Sequence, residues 1–278
     1  MKFAICNETF QDWPLGRGFE FAAECGYTGI EIAPFTIANI VTDITAAQRE
    51  EVRREVDKAG LTVVGLHWLL AKTEGFYLTS PDAEIRKKTA DYFAALAQCC
   101  ADVGGKVMVL GSPQQRNLLP GVTLEEATGY AAEVVESLVP VLEKMGVTLA
   151  LEPLGPTEGD FLNTAAEGVA LAERIGSPHV RLHLDVKAMS SEAMPAADVI
   201  RQNGDILAHF HANDPNLQGP GFGDEDFVPI FEALGQIDYQ GWVSVEVFDY
   251  TPGVERLAKE SIDYMNECLE KVRKEGSG

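Results

Sequence analysis

Residues 147–185 read VTLALEPLGPTEGDFLNTAAEGVALAERIGSPHVRLHLD, and the alternation within them decides the fold. Val147–Glu152 is a short apolar run that ends on a carboxylate. Thr164–Ile175 then spaces Ala, Val, Leu and Ile at the helical period, and Gly176 follows where a left-handed residue ends a helix with least strain. Val180–Asp185 is a second apolar run, again ending on a carboxylate. A strand, a crossover helix and a second strand joined in this way form a parallel β-α-β unit.

The same switch of period recurs along the whole chain of 278 residues. Strands are predicted at Lys2–Asn7, Gly29–Ala33, Thr62–Trp68, Lys106–Gly111, Val147–Glu152, Val180–Asp185, Leu207–Asn213 and Val243–Phe248. Helices are predicted at Leu15–Cys25, Ala46–Ala59, Asp82–Val103, Leu124–Met145, Thr164–Ile175, Ala196–Asn203, Asp226–Leu234 and Val254–Arg273. Gly26, Gly60, Gly104, Gly146 and Gly176 each stand just past a helical segment. Thr123 with Glu126 has the spacing of a capping box. Eight β/α units of roughly 35 residues predict an α/β protein folded as a single (β/α)8 barrel. A doubly wound open sheet would carry a Gly-rich phosphate turn after its first strand; Asn7-Glu8-Thr9-Phe10 stands there instead. No linker composition divides the chain, so residues 1–275 are expected to form one domain, with Gly276-Ser277-Gly278 as an appended tail.

Composition narrows the function. Lys plus Arg number 22 against 43 Asp plus Glu, a formal net charge of −21. Such a surface repels phosphate backbones and anionic lipid, which argues against nucleic-acid and membrane partners. The longest apolar run, Leu61 to Ala71, is shorter than the roughly 18 residues needed to cross a bilayer. The N-terminus lacks a signal-peptide pattern. Five cysteines without a C-x-x-C pair read as isolated buried thiols in a reducing cytosol, so a cytoplasmic location is expected.

A parallel barrel carries its chemistry at the C-terminal ends of its strands. Here the fifth strand ends in Glu152, the sixth in Asp185 and the seventh in His209-Phe210-His211, and the eighth contains Glu246. Glu152 and Glu246 sit inside apolar runs, where an unpaired charge costs several kcal/mol. Carboxylates converging there call for a cation. Three oxygen ligands and one imidazole, Glu152, Asp185, Glu246 and His211, suit one divalent ion. Mn2+ is the first choice, with Mg2+, Co2+ or Zn2+ as alternatives. Alternation along the strands turns His183 and Arg181 inward with Asp185, His209 with His211, and Ser244 with Glu246. His183 or His209 either orients a ligand by hydrogen bonding or is a satisfied core histidine.

The order Glu–Asp–His–Glu on strands five to eight resembles the xylose isomerase-like barrel superfamily, and within it the sugar isomerase and ketose 3-epimerase branch. The residues that carry the resemblance are Leu151-Glu152-Pro153-Leu154, Phe161-Leu162-Asn163-Thr164, His183-Leu184-Asp185, His209-Phe210-His211 and Val245-Glu246-Val247. The Gly221-x-Gly223 loop ahead of Asp226-Phe227 adds to it. The resemblance spans essentially the whole chain and implies a TIM barrel and a metal-dependent sugar isomerase or epimerase. The metal would hold a sugar carbonyl and its neighbouring hydroxyl, and Glu152 and Glu246 would remove and return a carbon-bound proton through an enediolate.

Two positions depart from that branch. Ala188 stands where it carries a histidine three residues after the metal Asp, and Leu217 where it carries an arginine. Both departures weigh against epimerisation of a free ketose, and the missing histidine at Ala188 raises a runner-up reading, a lyase or hydrolase acting on keto-glycosides by the same enolisation. Lys187 is either a donor to the developing oxyanion or a solvated lysine. His67 and Glu158 look family-like as substrate contacts, and His183 is a further candidate substrate contact. Trp68 offers an aromatic face for a sugar, with core packing as the simpler reading, and Arg116 would bind a substrate anion. The net charge tilts the expected substrate toward a neutral sugar. A homo-oligomer, dimer or tetramer, is the expected assembly. A DNA-repair endonuclease would need more than five histidines and a basic face. A non-catalytic sugar binder would lack Glu152 or Glu246, and both are present.

Overall fold

The fold is that of residues 1–275 in a computed structural model, and the predicted tail 276–278 lies outside the described residues. Eight strands run in parallel: β1 Lys2–Cys6, β2 Gly29–Ile32, β3 Thr62–Leu66, β4 Val107–Leu110, β5 Thr148–Leu151, β6 Val180–Asp185, β7 Leu207–Ala212 and β8 Trp242–Val245. Each pairs with its neighbour in chain order, and β1 pairs with β8 from Lys2–Trp242 to Ile5–Val245, which closes the barrel.

Most strands stop one to three residues before their predicted ends. The physical reason is visible at the rim. His67, Glu152 and Glu246 each keep one backbone N–H bond to the preceding strand, at 3.2 Å to Ile32, Leu110 and Ala212 respectively, and the ladder ends there. The apolar pattern persists past the ladder because these positions stay buried while the strands diverge.

Helices α1 Leu15–Cys25, α2 Ala46–Ala59, α3 Ala83–Val103, α4 Leu124–Met145, α5 Ala165–Ile175, α6 Val186–Met189, α7 Ala196–Gln202, α8 Phe227–Gln236 and α9 Val254–Glu275 follow the strands. All five glycines expected to end helices adopt positive φ, from 62° at Gly146 to 109° at Gly26. Thr123 and Glu126 form the expected capping box, and Thr45 with Gln48 forms a second. The one-turn helix α6 was not anticipated; Asp185 caps it by accepting from Ala188 N–H at 2.8 Å. Phe19, Phe93, Leu96, Leu138 and Phe231 of the helices share one continuous core with Ile30, Met108, Leu149, Leu182 and Phe210 of the strands. Each such side chain contributes about 1.5–3 kcal/mol by leaving water.

Two irregularities position the site. The register slips between Ile30 and Glu31 in β2 and between Leu182 and His183 in β6. Bulges of this kind re-aim side chains near functional sites. Glu31 and His183 are the residues just past them, and both are fully buried.

Candidate active site

The C-terminal mouth of the barrel gathers the residues that the strand ends presented. Glu152, His183, Asp185 and His211 each place one donor atom within 4.8 Å of all the others, and all are buried. Glu246 adjoins this cluster, its Oε2 lying 3.0 Å from His211 Nδ1. Three of the four residues expected to hold a cation, Glu152, Asp185 and His211, thus share one donor sphere with His183, while Glu246 stands at its edge and also groups with Glu8 and His67. Glu152 also depends on Gly111: a Cβ at that position would lie 1.6 Å from Glu152 Oε2, so only glycine leaves room for the carboxylate.

The electrostatics describe a site that favours a cation. Burial pushes the Glu152 carboxyl up to about 8, and the charges of Glu246 and Asp185 add to the effect. Burial and Glu246 likewise push Asp185 up to about 6. Burial also acts on Glu246, but His211 and the Trp68 N–H hold it below the usual carboxylate range. His183 is driven well below the ordinary histidine range by burial and by His211 and His209. Both its ring nitrogens lack a hydrogen-bond partner, and Nε2 stands 3.7 Å from Glu152 Oε1. A buried neutral imidazole without a partner, facing carboxylates that repel one another, fits a divalent ion of the hard-to-borderline class. Asp185 is held for this purpose by Asn213, which donates to Oδ2 at 2.5 Å.

A second set of residues braces the first. Glu31 Oε2 accepts from His209 Nε2 at 2.7 Å, and both Glu31 oxygens lie 3.2 Å from His211 Nε2. Burial would raise the Glu31 carboxyl, but the two histidines hold it well below the usual range. His67 Nε2 lies 2.6 Å from Glu8 Oε2. Trp68 donates its indole N–H to Glu246 Oε1 at 2.7 Å from a backbone with φ of 52°. A non-glycine residue in that region costs about 1–3 kcal/mol and is characteristic of functional sites. Glu8, Glu31 and Asn213 were not singled out in the sequence. Glu31 carried a readable signal, a carboxylate inside the apolar strand Gly29-Ile30-Glu31-Ile32, but Glu8 carried none.

Above the cluster opens a cavity of about 330 Å³, walled by His67, Trp68, Glu152, Glu158, Lys187, Glu246 and Phe248. Lys187 Nζ donates to Glu158 at 2.7 Å and lies 4.3 Å over the Phe248 ring. Neither of the two readings of Lys187, oxyanion donor or solvated lysine, describes it fully, because it is ion-paired and largely buried. His183, expected as a substrate contact, does not line the cavity: like His209 it is fully buried, and its ring faces Glu152 and His211 instead.

Two expectations are corrected. Arg116 does not face the cavity. Its guanidinium donates to the carbonyls of Leu110, Glu152 and Leu162 at 3.1, 2.7 and 3.3 Å, and it is 1% exposed. Three carbonyls around the β4 and β5 ends require a multivalent donor, so Arg116 ties the loops of the mouth together and leaves no charge for a substrate anion. Arg181 does not point inward with His183. It reaches the Asp205 carbonyl at 2.6 Å near the exposed start of β6, on the far side of the register slip.

With this geometry in hand, the chain was compared with known proteins. It matches the xylose isomerase-like TIM barrel family over residues 19–268, and it belongs to that family. It is 27% identical over 241 residues to the D-psicose 3-epimerase of Agrobacterium fabrum, covering 86% of this chain and 81% of that protein. It is 25% identical over 274 residues to the 3-dehydro-D-guloside 4-epimerase of Escherichia coli, covering 96% and 100%. Among solved structures, the D-psicose 3-epimerase of Clostridium cellulolyticum H10 with D-tagatose superimposes with a TM-score of 0.84 at 24% identity, over 97% of this chain and 99% of that one. The 3-keto-D-glucoside 4-epimerase of E. coli gives a TM-score of 0.84 at 23% identity, over 96% and 100%. At these identities the structural likeness establishes the fold.

Proposed function

We propose that this protein is a divalent-metal-dependent epimerase or isomerase of a neutral keto-sugar. The observation that carries the reading is the convergence of Glu152, Asp185, His183 and His211 within one donor sphere, with Glu246 bonded to its edge, on the floor of a sugar-sized cavity. Glu152, Asp185, His211 and Glu246 hold the ion. Bound there, a divalent ion supplies Lewis-acid polarisation of the carbonyl and acidifies the neighbouring C–H bond. Glu152 and Glu246 act on the reacting carbon: one takes the proton to give the enediolate, and the other returns it, inverting the centre or moving the carbonyl. Lys187, ion-paired with Glu158, presents its ammonium to substrate oxygens. His67 and Trp68 line the sugar, and the Trp68 N–H keeps Glu246 aimed. His183 supports the floor.

Finer assignments follow from the same residues. Mn2+ is the proposed ion, since two or three carboxylates with imidazole suit it. Arg116 is spent on backbone carbonyls and Lys187 is paired with Glu158, and the cavity wall also carries Glu152, Glu158 and Glu246, which favours a neutral sugar over a phosphate. The relatives are named as epimerases, so the lyase alternative is not supported. The glycoside-directed relatives align over nearly their whole length, and Ala188 stands where the free-ketose branch carries histidine. Keto-glycosides therefore belong in the substrate panel beside free ketoses. No helix among the described residues is long and apolar enough to cross a membrane. A cytoplasmic location, one barrel domain over residues 1–275 and a dimer or tetramer complete the proposal, with no nucleic-acid partner. The test is incubation with ketoses, aldoses, inososes and keto-glycosides in D2O. Deuterium incorporation that a chelator abolishes supports the reading. Absence of exchange with every substrate overturns it.

A further inference from the structure

The proposed reaction gives no role to Glu31, yet this residue makes three of the short polar contacts beneath the site. It extends from β2 into the barrel interior and meets β7. The bulge at Ile30/Glu31 breaks the ladder where its side chain turns inward, and the residue is 0% exposed. We propose that Glu31 is the positioning residue of this site: its carboxylate accepts the Nε2 protons of both His211 and His209, which leaves His211 Nδ1 as the nitrogen that faces Glu246 and the cation.

The two nitrogens of His211 face different partners. Nε2 lies 3.2 Å from each Glu31 oxygen, and Nδ1 lies 3.0 Å from Glu246 Oε2. An imidazole that ligates a metal offers one lone pair, and the position of its proton decides which nitrogen offers it. A carboxylate has only acceptors, so Glu31 takes a hydrogen from Nε2; Glu246, equally an acceptor, faces Nδ1 at 3.0 Å, and a cation bound between them would take the place of a hydrogen on Nδ1. Metal-binding histidines are commonly oriented this way by a carboxylate on the opposite nitrogen. Glu31 also fixes His209 through the 2.7 Å contact to its Nε2. The His209 ring stands edge-on to His211 at 5.2 Å between centroids, with an interplanar angle of 81°. One carboxylate thus sets two rings against each other, and the second ring limits rotation of the first.

This inference rests on the reading of the site as a cation site, and the experiment separates the two. Mn2+ alone is titrated into wild type, Glu31→Gln and Glu31→Asp, with free Mn2+ read by electron paramagnetic resonance. Nitrogen-15 NMR of the histidine rings reports which nitrogen carries the proton, in metal-free and in Zn2+-loaded protein. The expected result is a proton on His211 Nε2 in both states of the wild type and a 10–100-fold weaker Mn2+ affinity in Glu31→Gln. Glu31→Asp, which keeps the carboxylate, should regain part of that loss. A bare Nε2 on His211 in the loaded wild type, or wild-type Mn2+ affinity in a folded Glu31→Gln, overturns the proposal. If the wild type binds neither ion, the cation reading fails by itself, and the metal-free spectra still decide the role of Glu31: Glu31→Gln should shift the Nε2 signals of both His211 and His209, and unchanged signals overturn it. If Glu31→Gln does not fold, the wild-type spectra and Glu31→Asp decide it in the same way.

Discussion

The two sides of the barrel mouth carry charge for different purposes. From β5 to β8 come Glu152, Asp185 and His211, whose donor atoms converge with that of His183, and Glu246 beside His211; the carboxyls repel one another. From β1 to β3 and their loops come Glu8, Glu31, His67 and Trp68, and each makes a short contact with another polar side chain of the site. One side is electrostatically uncomfortable and fits a cation. The other pairs its carboxylates with imidazoles and its indole with Glu246, leaving Glu8 Oε1 and His67 Nδ1 without partners, and holds the first in place. The difference shows how a barrel keeps a reactive site rigid: groups that must stay free for chemistry are oriented by groups that are not free.

The largest effect should fall on the first side. Glu152→Gln and Glu246→Gln keep the shape of each side chain but remove its ability to carry a proton, so kcat should fall about 10²–10⁴-fold. Steady-state turnover of whichever sugar exchanges deuterium measures this, with circular dichroism confirming the fold. Full activity in both variants would remove these residues from the chemistry and break the comparison.

Cation removal should act next. An ion present at a hundredfold excess over its Kd adds about 2.7 kcal/mol to stability, so urea unfolding with and without Mn2+ should differ by about that amount. The metal-free protein should also lose stability as pH rises from about 6.5 to about 8. Glu152, raised to about 8 by burial and its neighbours, keeps its proton in the folded chain after the unfolded chain has released it. The folded state then binds more protons, and stability falls with rising pH. His211, raised well above the ordinary value against the effect of burial by Glu246 and Glu31, acts in the same sense. The opposite contribution of His183, lowered by burial and its histidine neighbours, runs while the unfolded histidine loses its proton around pH 6.5 and is small above about pH 7.5, so the fall is steepest in the upper half of this window. A metal-free protein equally stable at both ends of this window would contradict the picture of an uncomfortable site.

Trp68→Phe probes the bracing side. It removes one N–H donor from a charged carboxylate, a loss of about 1.5–3 kcal/mol. A fall in kcat of roughly 10–100-fold is expected, smaller than for Glu246→Gln, with little change in KM. An effect equal to that of Glu246→Gln would erase the distinction between reacting and bracing groups. The smallest effect lies outside the mouth altogether. Thr123→Ala removes the cap of α4 and should cost about 1 kcal/mol of stability, read by urea unfolding, with turnover unchanged.

Much of this was legible along the chain. Helices α1, α2 and α4 begin and end where the sequence places them, because a capping threonine or proline and a left-handed glycine act within a few residues. Glu152, Asp185, His211 and Glu246 were legible because a charge at the end of an apolar strand is an anomaly wherever it occurs. Arg116 was misread because nothing local reveals that three carbonyls from distant loops surround its guanidinium. Glu8 was missed because it follows β1 in an ordinary polar stretch.

The sequence by itself determined the alternation of strand and helix, the closed barrel that eight such units imply, and the identity of the charged residues at its rim. These follow from periodicity and from the cost of burying charge, both of which are written in the order of residues. Only the tertiary structure decided which of those residues face one another. Glu31 and His209, 178 positions apart, meet at 2.7 Å because barrel closure brings β2 and β7 around one interior. Trp68, at φ 52°, donates to Glu246 across the mouth, a contact between residues 178 positions apart that barrel closure makes possible.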